Sequence, residues 1–518
     1  MKLIPFFSLV LGSLISANAS AEYCAAIRGN GELMPAHWGA MSSIVEDEGM
    51  PSAMAGGSSA SITMFLLESL SLNPLPQNNT ERALLIKSFQ GYLEALSQTP
   101  EGKAIQALLA DKGAFQSILA LGPQLTEALK KPENAALLQK HLGSLQTLLQ
   151  SKDLKDIVNP EFALYVQRTV VLSQQKDSSM AALTQYRSSQ IMHAIKNFGK
   201  FDADTDKTLF VRPGLLNFSK LSQILGQMGD FYAGYNMDSA AGKQIQKMMR
   251  DFLNLCAPKS KNLSWRELNQ QEPSCRNALG AAVLTYRNSA TSTKSRANES
   301  VGAHIPAFAT TSVLSGSAVN QFTKLYVDYQ TTVDPNFGDF TTDNANLRFG
   351  YWGDSAALSK IENKFNTDSE YKNDPKSQKF LSLGQTAWSQ VLATSPAEPG
   401  LSRIVALSKT QLSAGGWSDL HPVMILKAFG CDNIIYVTRK GEESKFARGV
   451  FRRLVNANES VMSDFYSMTN PQSSIMRSQK NAAQIKCTDW NSFDVLKDIN
   501  GLIEESMRAP MVKPPYCK

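Results

Sequence analysis

Two short segments rich in glycine and serine carry residues that could perform acyl-transfer chemistry. The first reads GSSAS over residues 57–61 and lies between a short apolar stretch and an apolar run with helical spacing. A serine on a sharp strand-to-helix turn exposes its hydroxyl at a helix N-terminus, and small neighbours let the backbone turn tightly. Ser59, at the centre of this GxSxS pattern, is the candidate nucleophile. The alternative is that Ser58 or Ser61 only caps the helix.

The second segment reads GNGE and precedes the candidate serine by about thirty residues. It consists of Gly29, Asn30, Gly31 and Glu32, between a predicted strand and a predicted helix. Consecutive backbone N–H groups in such a turn can hydrogen-bond an oxyanion, the second requirement of acyl transfer. An ordinary glycine turn or a dinucleotide-binding loop is the alternative, although the segment contains no complete GxGxxG pattern.

The elements that must position these segments divide the chain into four regions after residue 21. Residues 22–72 alternate strand, turn and helix, an α/β pattern. Residues 73–300 are predicted as a helical insertion, in which frequent Gly and Pro breaks disfavour a coiled coil. Buried strands return in residues 301–440, and residues 441–518 form a mixed helix and loop extension.

Three later segments complete a set of motifs that resembles the bacterial patatin-like phospholipases. Residues 29–34, with His37 and Gly39, match the family's GGGxRG loop and the His and Gly that follow it, and residues 57–61 match its GxSxG elbow. Residues 393–399 match its ASxAxP segment, residues 414–423 match its DGGxxDNxPV loop, and residues 430–437 match the strand after that loop. The resemblance covers about residues 23–70 and 304–439, in family order. It therefore spans the two α/β regions and leaves out the insertion and the extension.

The resemblance implies a three-layer α/β/α fold and a Ser–Asp dyad that needs no metal or cofactor. Ser59 would attack an ester carbonyl, and residues 29–32 would hold the oxyanion. The implied substrates are phospholipids or other acyl esters. This sequence departs from the family at Leu33 and Met34, which replace Arg and Gly, and at Ser61, which replaces the last glycine.

The most serious departure is Ala414, which stands in place of the family's catalytic Asp. Alanine cannot accept a proton, and loss of a base typically costs a factor of about 10⁴ to 10⁶ in rate. Asp419 is the candidate substitute base, although its other role would be to cap the helix that begins nearby. His421 is a second candidate base.

These features predict an exported lipid acyl hydrolase, of phospholipase A or esterase type. The competing hypothesis, favoured by Ala414, is an impaired patatin-like pseudoenzyme that acts as a lipid-binding or interaction protein. A general α/β-hydrolase triad of serine, Asp419 and His421 is weaker, since that class places its histidine on a separate late loop. The helical insertion is expected to act as a lid over the acyl site.

Residues 1–21 have the pattern of a signal peptide: Lys2, a short apolar run and a small-residue cleavage site at Ala21. The protein is therefore expected in the periplasm, associated with the outer membrane, or secreted. The net charge of +6 comes from 52 basic and 46 acidic residues that are scattered along the chain, which gives no case for nucleic-acid binding. Peripheral contact with an anionic membrane stays open.

Six cysteines fit an oxidising compartment. Cys256 and Cys275 bracket a polar segment and are the strongest local disulfide prediction, and Cys487 with Cys517 is a weaker one. Cys24 and Cys431 lie at predicted strands and are expected to be buried thiols. The absence of any CxxC spacing argues against a zinc site or a redox site.

Overall fold

The computed structural model describes thirteen segments of the chain. They are residues 23–99, 114–130, 134–151, 160–175, 178–196, 218–237, 239–289, 294–314, 347–397, 405–407, 410–440, 484–491 and 495–512. The predicted signal peptide and most of the C-terminal extension lie outside them.

The described segments contain ten strands. They are β1 (Cys24–Ile27), β2 (Ala53–Gly57), β3 (Ala307–Leu314), β4 (Leu347–Trp352), β5 (Phe380–Gly384), β6 (Val405–Leu407), β7 (Thr410–Ser413), β8 (Asn433–Lys440), β9 (Gln484–Asn491) and β10 (Met511–Val512).

Sixteen α-helices lie between and after these strands in the same segments. They are α1 (Pro35–Glu48), α2 (Ser59–Ser71), α3 (Asn79–Leu96), α4 (Ala114–Lys130), α5 (Ala135–Leu149), α6 (Pro160–Ser173), α7 (Ser178–Lys196), α8 (Phe218–Ala233), α9 (Ala240–Ser260), α10 (Trp265–Gln271), α11 (Pro273–Ser289), α12 (Ser355–Thr367), α13 (Pro375–Lys379), α14 (Trp388–Thr394), α15 (Val423–Phe429) and α16 (Val495–Arg508). Single 3₁₀ turns occupy Gly31–Leu33, Arg296–Asn298 and Gly415–Trp417.

All ten strands form one sheet, whose main path runs β10-β9-β8-β1-β2-β3-β4-β5. Five neighbouring strands, from β9 to β3, are parallel. Strand β7 pairs antiparallel with β3 beyond the end of β2 and forms a hairpin with β6. From β1 the chain continues through β2 to β5 on one side of the sheet, and β8 to β10 lie on the other side. The carboxyl ends of β1 and β8 therefore lie at a topological switch point, where crevices form in open α/β sheets.

Helices cover both faces of the sheet, and alternation along β1 shows why. Ala25 and Ile27 belong to the large core with α1, α2 and α3, whereas Cys24 and Ala26 belong to a second core with α12 and α15. The molecule is thus an α/β protein with a mostly parallel central sheet, compatible with the predicted three-layer fold.

The helices between residues 73 and 300 fall into two groups. Helices α4 to α7 pack mainly against one another around a core of their own, which includes Leu125, Leu142 and Phe162. Helices α3 and α8 to α11 instead contribute to the large core beside the sheet. Much of the predicted insertion is therefore integral to the α/β unit.

Two disulfides lie within the described residues. The predicted bond between Cys256 and Cys275 is confirmed and joins α9 to α11. The prediction that Cys24 and Cys431 are buried thiols was wrong, because pairing of β1 with β8 brings them together in a second disulfide. Cys487 is also disulfide-bonded, and the other member of that predicted pair lies outside the described residues.

Disulfides indicate an oxidising compartment, which supports the expectation of export. Within the described segments, no helix is long and apolar enough to cross a bilayer.

We expect removal of either disulfide to lower the free energy of unfolding by about 2–5 kcal/mol, because each bond restricts the unfolded chain. The loss should be larger for the Cys24→Ala/Cys431→Ala variant, whose bond spans 407 residues, than for Cys256→Ala/Cys275→Ala, whose bond spans 19. Urea denaturation of the two double variants measures this. Equal urea midpoints for both variants would contradict the expected order.

Candidate active site

The turn between β2 and α2 is strained at Ser58. This residue has φ 55° and ψ −132°, a conformation that costs a non-glycine residue about 1–3 kcal/mol. The serine of a nucleophile elbow occupies such a strained strand-to-helix turn. Ser58 therefore occupies the apex of the turn, and the predicted nucleophile Ser59 is the first residue of α2.

Close packing explains why the elbow is built from small residues. A side chain at Gly57 would come within 1.8 Å of Thr310 Oγ1, and one at Gly56 within 2.8 Å of the Ala60 Cβ. The pattern Gly56-x-Ser58-x-Ala60, small at both ends, is the sequence signal for a tight turn with Ser58 at its apex. The capping alternative is also excluded for Ser58, whose side chain makes no cap hydrogen bond.

Hydrogen bonds hold the backbone of the elbow on both sides of its apex. The Ser58 N–H donates to Ser395 Oγ over 2.9 Å, and Ser395 Oγ donates to the Thr310 carbonyl over 2.6 Å. The Ser58 carbonyl accepts from Ser61 Oγ over 2.6 Å. Sequence analysis did not identify Ser395 as a site residue, although it lies in the segment that matches ASxAxP.

Two glycine turns flank Ser58. A side chain at Gly29 would lie 2.9 Å from the Gly57 carbonyl oxygen and 3.2 Å from the Ser58 Cβ, and one at Gly416 would lie 4.0 Å from Ser58 Oγ. The Cδ1 atom of Leu420 lies between the two turns, 3.1 Å from the position of a Cβ at Gly29 and 3.3 Å from the position of a Cβ at Gly416. Ser58 is therefore buried and closely packed between the two glycine turns.

The structure places the predicted oxyanion loop beside the elbow. The Asn30 N–H donates to Ser59 Oγ over 3.0 Å. Gly31 has φ 53° and begins a 3₁₀ turn that includes Glu32, so the chain leaves the site directly after Asn30. Of the four predicted residues, Gly29 contacts the elbow and Asn30 supplies a donor there.

A polar network anchors the Asn30 side chain. Arg439 Nε donates to Asn30 Oδ1 over 3.0 Å, and Asn30 Nδ2 contacts His37 Nε2 at 2.9 Å. Because an amide nitrogen can only donate, His37 Nε2 must accept and its proton lies on Nδ1, which contacts Thr63 Oγ1 at 3.2 Å. Burial lowers the pKa of His37 to about 3, so the ring is neutral. The network joins β8, the predicted oxyanion loop of residues 29–32, α1 and α2.

The candidate base Asp419 is fully buried in a different set of contacts. Its Oδ1 accepts from Lys376 Nζ over 2.6 Å and from the His421 N–H over 3.1 Å, and its Oδ2 accepts from the Tyr351 hydroxyl over 2.5 Å. None of these contacts involves Ser58 or Ser59. Asp419 thus ties its loop to β4 and to α13, and the structure does not bring it together with the serine.

Ala414 and His421 complete the loop that resembles the family's DGGxxDNxPV motif. The Ala414 side chain is buried in the apolar core that contains Phe308 and Tyr351. His421 is also buried, and its Nδ1 contacts the Tyr436 hydroxyl. Burial, followed by the nearby positive charges that include Lys376, lowers the pKa of His421 well below its ordinary value. The ring is therefore neutral and is paired with a tyrosine.

Comparison of the chain with protein-family models, with curated proteins and with solved structures finds no match. Among the described residues, no group of His, Cys, Asp and Glu side chains could hold a metal ion. Any functional assignment therefore depends on the geometry of the site and on the motif resemblance.

We expect Asp419→Asn to cost about 3–5 kcal/mol of stability, because it leaves the buried Lys376 ammonium unpaired. Thermal and urea unfolding of the variant measure this. The matched control is Asp419→Asn/Lys376→Met, which removes both charges and should recover much of the loss. An Asp419→Asn protein as stable as wild type would contradict a structural ion pair.

The neutral state of His37 predicts acid sensitivity. Its pKa is about 3 in the folded protein against 6.5 ordinarily, so its contribution is complete above pH 6.5 and is lost as pH falls towards 3. We expect the free energy of unfolding of His37→Gln to decline less steeply with acidity than that of wild type over this window, in urea titrations. His141→Gln, in the separate helical group, is the control. An unchanged slope in His37→Gln would contradict the assignment.

Proposed function

We propose that this protein is an exported, serine-dependent acyl hydrolase that acts on phospholipids or other acyl esters, with Ser58 as the nucleophile. The observation that carries the proposal is the strained Ser58 apex between β2 and α2, held by Ser395 and flanked by Gly29 and Gly416. The ordered resemblance to patatin-like phospholipases supports the lipid class of substrate.

The surroundings of Ser58 suit attack on an ester carbonyl. Its hydroxyl lies at the N-terminus of α2, where the helix dipole favours developing negative charge. The N–H of Ser59 is one of the first helical amides, which have no partner within the helix. Together with the Asn30 N–H it supplies the two donors of an oxyanion hole, one after the nucleophile and one from a preceding loop.

In the proposed reaction, Ser58 Oγ attacks the ester carbonyl carbon, the alcohol leaves, and water hydrolyses the acyl-enzyme. Asp419 is proposed as a positioning residue, since its carboxylate is already bonded to Lys376 and Tyr351. Among the described residues, no carboxylate contacts Ser58. We therefore expect slow turnover, with water as the proton acceptor.

One observation favours a second candidate, a lipid-binding or interaction protein without catalytic activity. Ala414, at the position of the family's base, is packed in an apolar core and leaves no acidic group there. A protein that has lost its base can retain the fold and the acyl site.

Labelling with a fluorophosphonate probe tests the proposed nucleophile. We expect wild type to form a covalent adduct on the peptide that contains Ser58, Ser58→Ala to form none, and Ser71→Ala to be labelled like wild type. Ser71 is the matched control because its hydroxyl lies at the far end of the same helix and donates to the Glu68 carbonyl. Mass spectrometry of the digested protein locates the adduct.

Two outcomes would contradict the proposal. An absence of labelling in folded wild type would favour the lipid-binding protein. Labelling that persists in Ser58→Ala and disappears in Ser59→Ala would return the nucleophile to the frame first predicted. Hydrolysis of phosphatidylcholine vesicles, compared between wild type and Ser58→Ala, then tests the substrate class.

A further inference from the structure

The donor that Asn30 brings to the elbow is already occupied. Its N–H is bonded to Ser59 Oγ over 3.0 Å, and both residues are buried. Ser59 directly follows the strained apex, and Asn30 directly follows Gly29, which packs on Ser58. An acceptor oxygen of the protein therefore holds the amide that a substrate oxyanion would need.

We infer that the Ser59 hydroxyl fills the oxyanion donor of the resting protein and must give way to the carbonyl oxygen of the substrate. Ser59 is then a positioning residue that restrains the reactivity of Ser58. This inference rests on the proposed function, because it assigns Ser58 as nucleophile.

The hydrogen bond between Asn30 and Ser59 lowers the free energy of the empty site but not that of the transition state. A buried N–H left without an acceptor is costly, so the Ser59 hydroxyl stabilises the empty site. Only interactions stronger in the transition state than in the ground state accelerate a reaction. Because the Asn30 N–H must break its bond to Ser59 before it binds an oxyanion, its contribution to rate is reduced by the strength of that bond.

The loop does not depend on Ser59 for its position. Arg439 and His37 hold the Asn30 side chain, and the Asn30 carbonyl accepts from the Leu33 N–H over 3.0 Å. Gly29 packs against the Gly57 carbonyl. Removal of the Ser59 hydroxyl should therefore leave the donor in place and free it for the substrate.

The test is the labelling rate of Ser59→Ala with a phosphonyl fluoride. In this step Ser58 Oγ forms a bond to phosphorus, the P–F bond breaks, fluoride leaves, and the hydroxyl proton passes to water. The phosphoryl oxygen takes the place of the oxyanion. From the usual net strength of one hydrogen bond, we expect labelling about two- to tenfold faster than in wild type. Ser71→Ala, at the far end of α2, should label at the wild-type rate, and Ser58→Ala should not label.

A thiophosphonyl fluoride, in which sulfur replaces the phosphoryl oxygen, provides a readout that a merely structural role would not change. Sulfur is a poor hydrogen-bond acceptor, so it gains little from a freed N–H. The rate advantage of Ser59→Ala over wild type should therefore appear with the oxygen probe and be largely absent with the sulfur probe. Equal acceleration with both probes would show only a looser elbow and would overturn the inference.

The remaining outcomes separate the inference from the proposed function. If wild type labels on Ser58 and folded Ser59→Ala labels more slowly with the oxygen probe, Ser59 supports the hole and the inference is overturned while the function stands. If no variant labels although each unfolds cooperatively near the wild-type temperature, the proposed function is overturned, and this inference with it.

Discussion

The strained backbone of Ser58 is the constraint on which the rest of the site depends. A non-glycine residue at this φ and ψ costs about 1–3 kcal/mol and persists only where its surroundings determine it. Here Ser395 accepts from the Ser58 N–H, and Ser61 bonds the Ser58 carbonyl. Because the turn also approaches Thr310 and the 29–32 loop closely, Gly29, Gly56 and Gly57 have no room for a larger side chain. Backbone strain, hydrogen bonds and the small size of the neighbouring residues therefore all place Ser58 at the apex of the turn.

A second buried interaction limits what the site can do. The ion pair of Asp419 with Lys376, completed by the Tyr351 hydroxyl, fixes the loop that faces Ser58. The Asp419 carboxylate accepts hydrogen bonds from Lys376 and Tyr351, and it would lose both bonds if it moved to Ser58. Ala414, packed in the apolar core, offers no replacement. The loop thus lies beside Ser58, but its carboxylate, Asp419, stabilises the fold through the ion pair with Lys376.

Local features of this site could be predicted from the sequence, and long-range ones could not. The strand-to-helix turn, the glycine loop and the Cys256–Cys275 bond each follow from short patterns of small, apolar or cysteine residues. The residue at the apex of the turn could not be read from the sequence because GxSxS and Gly56-x-Ser58-x-Ala60 overlap, and only packing around Gly56 separates the two patterns. The pairing of Cys24 with Cys431 depends on sheet topology, which no local pattern reveals.

The contact of β1 with β8 shows how the fold controls the site. The disulfide of Cys24 with Cys431 joins the two strands at their amino ends, and the bond of Arg439 to Asn30 joins them at their carboxyl ends. Register between the strands therefore sets where Asn30 lies, and with it the N–H that faces Ser59. A slip of β8 by one residue would reverse the direction of Arg439 and release the loop. The proposed oxyanion donor, the Asn30 N–H, thus depends on a strand that is distant in sequence.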